Sequence, residues 1–113
     1  MKKRLFEALL TAACKFYGVG YVKLINSQRK RVVLPNEVQK ARGGFLFFAE
    51  KLVGDTMAAS SVVGAHRGNA SRYRQYFIEN TDKAERLALY DAMQKELGVA
   101  FGQRRIMADR KEV

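Results

Sequence analysis

The chain has 113 residues, the usual size of one domain, and a hydrophobic content of 48%, which can supply a small core. This content, with 7 Phe and 5 Tyr, is not that of a disordered chain. The net charge is +10, and the first 35 residues hold eight Lys or Arg against one Glu. Such an excess favours a polyanionic partner, for which nucleic acid and anionic membrane are the two candidates.

Several classes of function are not expected from the residue types present. The single cysteine, Cys14, excludes an internal disulfide and suits a reducing, cytoplasmic compartment, where it is expected to be buried. The single histidine, His66, lacks the partners of a zinc site, so we expect no metal and no other cofactor. No catalytic constellation stands out, so we do not expect an enzyme. No apolar run approaches the roughly 18 residues of a membrane span, so no spanning helix is expected. Of the two polyanionic candidates we expect nucleic acid and no membrane.

The first predicted helix covers residues 2–17, where apolar side chains recur on one stripe, and Gly18 is expected to close it. The segment after it leads into a basic loop, SQRKR, at residues 27–31. Arg29, Lys30 and Arg31 in this loop are typical of phosphate or minor-groove contacts, although a solvated charge run has the same composition. A β-hairpin that pairs YVKLI with RVVL across the loop is the structural alternative.

The central core helix is predicted after Pro35, over EVQKARGGFLFFAEKLV, with Asn36 as its N-cap. The Gly43-Gly44 pair lies in the middle of this helix, where each glycine costs roughly 1 kcal/mol relative to alanine. We expect the pair to mark either a bend or close packing against a neighbouring helix.

A helix-turn-helix is predicted within Gly54 to Asn80. Thr56 is expected to cap a short first helix, TMAASSVV, and Gly64 to supply the positive φ of the turn. The second helix is expected to run from Gly68 or Asn69 to Asn80.

At 100° per residue, the second helix of this pair separates into two faces. Ala70, Tyr73 and Phe77 form the face that is expected to be buried. The opposite face holds Gly68, Ser71, Arg72, Gln75 and Tyr76, a set that suits base edges and phosphates in a major groove. An ordinary amphipathic helix with a solvated basic side is the alternative.

Arg72 suits guanine, since its fork can bond O6 and N7 together, whereas Arg74 lies closer to the buried side and suits a phosphate. The residues predicted to contact DNA are Arg29, Lys30, Arg31, Arg67, Gly68, Asn69, Ser71, Arg72, Arg74 and Gln75.

A last long helix is predicted over DKAERLALYDAMQKEL, with Thr81 as its cap and Gly98 at its end. Residues 1–98 would then form the helix-turn-helix domain, and residues 99–113 a C-terminal tail. The tail could dock on the body or on a protein partner, or fray. The last helix or the tail could also form a homodimer, although no clean heptad seam is present.

The order of these elements resembles the C-terminal DNA-binding domain of the bacterial replication initiator DnaA, one of the Trp-repressor-like helix-turn-helix folds. The resemblance covers roughly residues 5–97. It rests on Phe16-Tyr17-Gly18-Val19, on the basic loop, on Val38-Gln39-Lys40-Ala41-Arg42 and Ala49-Glu50-Lys51-Leu52 in the long helix, and on Gly64 in the turn. It implies duplex DNA as the partner and a basic loop that grips the backbone or the minor groove.

This chain departs from the DnaA pattern in three places. About five extra residues, around VVLPN, separate the basic loop from the long helix. The family has an Asp-His-Thr-Thr run where this chain has Arg67-Gly68-Asn69-Ala70, so the family's sequence specificity is not expected to carry over. Nothing here encodes the initiator's ATPase. The stretch VGAHRGNASRY also resembles the turn and recognition helix of phage-type repressors and activators.

These observations predict an all-α domain of about five helices that binds double-stranded DNA sequence-specifically and regulates transcription or replication. One alternative is a small basic adaptor or inhibitor, of phage or plasmid type, that binds an acidic protein surface. The other is an RNA-binding protein in which the basic loop and Tyr73 or Tyr76 contact bases.

Overall fold

The computed structural model describes residues 2–20, 35–64 and 67–101. Over these ranges the chain forms five α-helices and no strand, which confirms the predicted all-α class. The helices are α1 (Lys2–Tyr17), α2 (Asn36–Leu52), α3 (Thr56–Val62), α4 (Arg67–Glu79) and α5 (Lys83–Phe101). The basic loop, the alternative β-hairpin, His66 and the chain after Phe101 lie outside the described residues.

Helix α2 is the centre of the core, as predicted, and it packs against both α1 and α4. Its side chains Phe45, Leu46 and Phe48 are buried. The ring of Phe48 lies 6.3 Å from that of Phe77 on α4 and 5.9 Å from that of Tyr90 on α5. Each such side chain contributes roughly 1.5–3 kcal/mol when it leaves water, so α2 ties α4 to the rest of the domain.

The glycine pair of α2 lies where α4 and α5 pack against α2. A Cβ atom added to Gly43 would lie 2.9 Å from the Cβ of Phe77, and closer still to the backbone oxygen of Tyr73. A Cβ atom on Gly44 would lie 2.8 Å from Cδ2 of Leu89. Of the two interpretations of this pair, close packing is confirmed, because only glycine lets the backbones of α2 and α4 come this close together.

Helices α1 and α5 pack along each other and complete the core. Cys14 is buried in α1, as predicted, and burial raises the pKa of its thiol. At one end of the pair, the hydroxyl of Tyr17 donates to Glu85 over 2.8 Å, and Nζ of Lys40 lies 3.2 Å from the same carboxylate. Burial, together with Glu85, raises the pKa of Tyr17. This contact joins α1, α2 and α5.

Two predicted threonine caps are wrong by one residue. Asp55, not Thr56, caps α3, because its Oδ1 accepts a hydrogen bond of 3.0 Å from the N–H of Ala58. Asp82, not Thr81, accepts from the N–H of Glu85 over 2.8 Å at the start of α5. A carboxylate is as good a cap as a hydroxyl, and here the aspartates occupy the position that reaches the third N–H.

Two further helix ends differ from the prediction. Asn36 is the first residue of α2 and makes no capping bond; its side-chain oxygen accepts from the hydroxyl of Tyr76 instead. Helix α5 continues through Gly98 to Phe101, so Gly98 does not end it. A glycine inside a helix costs only about 1 kcal/mol, which the packing of α5 on α1 outweighs. Gly64 does take the predicted positive φ, at 68°, and Gly18, which was predicted to close α1, has a φ of 67°.

Candidate nucleic-acid interface

Helices α3 and α4 form the pair that the sequence predicts as a helix-turn-helix. Helix α3 has seven residues and buries Ala59 and Ser60. Val63, just after it, is also fully buried, and Gly64 follows in the left-handed conformation. Helix α4 then begins at Arg67, one residue before the predicted start, and ends at Glu79, one residue before the predicted end.

The inner face of α4 holds the predicted core residues. Ala70 and Phe77 are fully buried, and the half-buried Tyr73 packs against the core. Arg42 is only 5% exposed as a residue, and its guanidinium lies 3.4 Å from the centre of the Tyr73 ring. Burial lowers the pKa of Arg42 from its ordinary value. Arg42 is on α2 and Tyr73 is on α4, so this cation–π contact holds the two helices together and covers one face of the ring.

The outer side of α4 is exposed along its length. We define the α4 face as Gly68, Ser71, Arg72, Gln75 and Glu79, all of which are exposed. Asn69 is half-buried at its border. Tyr76, predicted with this group, is also half-buried, and its hydroxyl donates a hydrogen bond to the side-chain oxygen of Asn36 on α2. The face therefore presents small and polar side chains with one arginine and one acid.

Arg74 lies at the seam between α4 and α2, as its helical position predicts. Its Nε is 2.8 Å from Oε2 of Glu50, and its side chain is only 20% exposed. Glu50 thus neutralises much of the charge that was predicted to contact a phosphate. A phosphate would have to compete with this carboxylate for Arg74, so Arg72 is better placed than Arg74 to contact a partner.

Four of the predicted DNA contacts have side chains outside the described residues. These are Arg29, Lys30 and Arg31 of the basic loop, and Arg67. Pro35 nevertheless marks where the basic segment rejoins the body. The hydroxyl of Tyr76 donates to the side chain of the next residue, Asn36, so the start of α2 lies beside the C-terminal half of α4.

Sequence reasoning missed Glu79 as part of this surface. The side chain of Gln75 donates to Oε2 of Glu79 over 3.0 Å. The two residues are four positions apart, which places them on one face of a helix, so the spacing alone could have identified the pair. Helix α4 thus carries its arginines in the first two turns and its only acid in the last. The helix dipole by itself would favour the reverse order.

Other kinds of site are not visible in the part of the chain that the structure describes. No group of three or more His, Cys, Asp or Glu side chains could hold a metal ion there. None of the described helices is long and apolar enough to cross a membrane.

Comparisons of the chain with protein-family models, with curated proteins and with solved structures find no match. The all-α class follows from the five helices themselves. The resemblance to the DNA-binding domain of DnaA therefore stays a prediction, and so does each residue role carried over from it.

Proposed function

We propose that this protein binds double-stranded DNA sequence-specifically, with α4 in the major groove, and regulates transcription or replication. The observation that carries the proposal is the α4 face. Its exposed small, polar and basic side chains lie on a helix whose opposite side is locked onto α2 by Gly43, Tyr73 and Phe77. A rigid helix with such a face matches the way helix-turn-helix proteins read DNA.

The size and chemistry of the α4 face support a groove contact. A major groove about 12 Å wide admits one α-helix, and small side chains let the helix backbone come close to the DNA. Gly68 and Ser71 are such residues in the first turns of α4, and both are exposed. Arg72, one position further on, is exposed and has no ion-pair partner among the described residues. Its guanidinium fork suits O6 and N7 of guanine.

The distribution of charge supplies the second argument. The segment from residue 21 to 34 has four basic residues and no acid, and the net charge of the whole chain is +10. Asn36, two residues after this segment in the chain, accepts a hydrogen bond from Tyr76 of α4, so we expect the cations of the segment to meet the DNA backbone that flanks the groove. Such contacts supply affinity without sequence preference.

The test is selection from a pool of randomised duplex DNA at two salt concentrations, followed by sequencing of the retained molecules. We expect one enriched motif at both salts, with weaker retention at the higher salt. A palindromic motif would indicate a homodimer. Retention that collapses with salt and enriches no sequence would overturn the proposal and leave only a basic surface.

The two alternative functions have distinct readouts. A protein-binding adaptor would form a complex that survives nuclease and high salt. An RNA-binding protein would prefer single strands to duplex. In that case base stacking would have to use Tyr76 or the open face of Tyr73, because Arg42 covers the other.

A further inference from the structure

The Gln75–Glu79 pair lies on the α4 face at the opposite end from Gly68. Both side chains are exposed, and Nε2 of Gln75 donates to Oε2 of Glu79 over 3.0 Å. Glu79 makes no ion pair within the part of the chain that the structure describes. Among the described residues, Gln75 alone bonds this carboxylate.

The hydrogen bond fixes the direction in which the Gln75 amide points. An ionised carboxylate only accepts hydrogen bonds, so the amide nitrogen of Gln75 must be the atom that faces Glu79. The amide oxygen, Oε1, then remains for a partner, next to the second carboxylate oxygen of Glu79, as does the second N–H of the amide. The last turns of α4 thus present two acceptors side by side.

The acceptor pair is separated from the basic part of the same face. Glu79 lies seven residues after Arg72, which corresponds to about 10 Å along the helix axis. Because base pairs are stacked at intervals of about 3.4 Å, the two ends of the face would meet different base pairs. The arginine end donates hydrogen bonds, so it needs a base that presents acceptors. The carboxylate and amide oxygens of the Gln75–Glu79 end accept them, so that end needs a base that presents a donor.

We propose that Glu79 is a specificity-determining residue that, through Gln75, selects a base with an exocyclic amino group at one position of the DNA site. Adenine N6 and cytosine N4 can donate to the two acceptors, whereas guanine and thymine present only acceptors in the major groove. The carboxylate also repels phosphates, so it lowers affinity for all duplexes while it raises discrimination. This inference rests on the DNA-binding function proposed above.

The test repeats the selection and measures binding to the enriched duplex and to a random one for three variants. Glu79→Gln removes the charge and lets either amide turn round, Glu79→Ala releases Gln75, and Gln75→Ala removes the other acceptor. The control is Glu7→Gln, which makes the same change of charge at an exposed position of α1, in the groove between α1 and α5. All three substituted positions are exposed, and circular dichroism checks that each of the four variants folds.

We expect the wild-type motif to require adenine or cytosine at one position. Either Glu79 variant should reduce discrimination there about 5- to 150-fold, while affinity for random duplex rises, most at low salt. Gln75→Ala should relax the same position, and Glu7→Gln should leave it unchanged. If the wild type enriches a motif that the Glu79 variants share with equal discrimination, this inference is overturned and the DNA-binding function stands. If the wild type enriches no motif, both are overturned.

Discussion

At the scale of single residues, Arg72 and Arg74 are two positions apart on α4 yet have different surroundings. Arg72 is exposed on the α4 face, whereas Nε of Arg74 lies 2.8 Å from Glu50 at the seam with α2. Two residues correspond to 200° on a helix, which is enough to send one arginine outwards and the other to a neighbouring helix. The proposed base-reading role therefore belongs to Arg72.

Arg72→Ala should weaken binding to the selected duplex by about 1–3 kcal/mol and relax one base position, with a smaller effect on random duplex. Titration of both duplexes at one salt concentration measures the difference. Arg74→Ala is the matched control: because Arg74 is paired with Glu50, its loss should relax no base position. Its free energy of unfolding should fall by no more than about 1 kcal/mol, because the pair is partly exposed. Equal losses on both duplexes for Arg72→Ala would show that Arg72 does not read bases.

Gly68 is a second residue whose role can be separated from folding. Its backbone has no positive φ, and a Cβ atom there would meet no described heavy atom within 4 Å apart from its own helix and chain neighbours. Gly68→Ala should therefore raise the free energy of unfolding by up to about 1 kcal/mol. It should weaken DNA binding if the groove approaches the α4 backbone as closely as we propose.

Gly98 on α5 provides the matched control for Gly68, since a Cβ atom added there also meets nothing within 4 Å. Gly98→Ala should stabilise the fold by a similar amount and leave binding unchanged. Urea unfolding and duplex titration measure the two effects. Undiminished binding by Gly68→Ala would place the DNA elsewhere on the protein.

At the scale of elements, the fixed position of α4 on α2 depends on the glycine pair. Gly43→Ala would drive a methyl group into the backbone oxygen of Tyr73 and the side chain of Phe77. Neither is the end of a flexible chain, so α4 must move, at a cost of roughly 1–3 kcal/mol or more. Urea unfolding of Gly43→Ala beside Gly98→Ala measures this cost. An unchanged free energy of unfolding would mean that α2 and α4 are not in close contact.

The helical elements show how far periodicity alone predicts a fold. The extent of α1 and the buried side of α4 agree with the predictions from the sequence, because both features depend on side-chain spacing along one helix. The caps of α3 and α5 were missed by one residue, because neighbouring Asp and Thr side chains both offer an acceptor. The spacing does not show which acceptor reaches the N–H group.

At the scale of the whole molecule, the uneven charge predicts how affinity depends on salt. The body from residue 35 to 64 has equal numbers of basic and acidic residues, while the segment from 21 to 34 has only basic ones. We therefore expect the phosphate contacts to come mainly from that segment. Such contacts release counterions from DNA and make binding sensitive to salt.

Lys30→Ala should weaken binding to selected and random duplexes by the same factor. It should also reduce the slope of log affinity against log salt by about one unit, because one phosphate contact is lost. Titrations at four or five salt concentrations measure that slope. Lys95→Ala, an exposed change of charge on α5, is the control and should leave the slope unaltered. An unchanged slope for Lys30→Ala would remove the basic loop from the interface.

The sequence by itself determined the all-α class, the approximate course of all five helices and the division of α4 into a buried and an exposed side. These features follow from side-chain periodicity within single helices, which is a local property. Only the tertiary structure decided that Gly43 and Gly44 are a packing site and that Arg74 is held by Glu50. It also placed Tyr76 against Asn36, next to the end of the basic segment. Each of these contacts joins residues far apart in the chain, so it depends on how the helices pack, which local spacing does not specify.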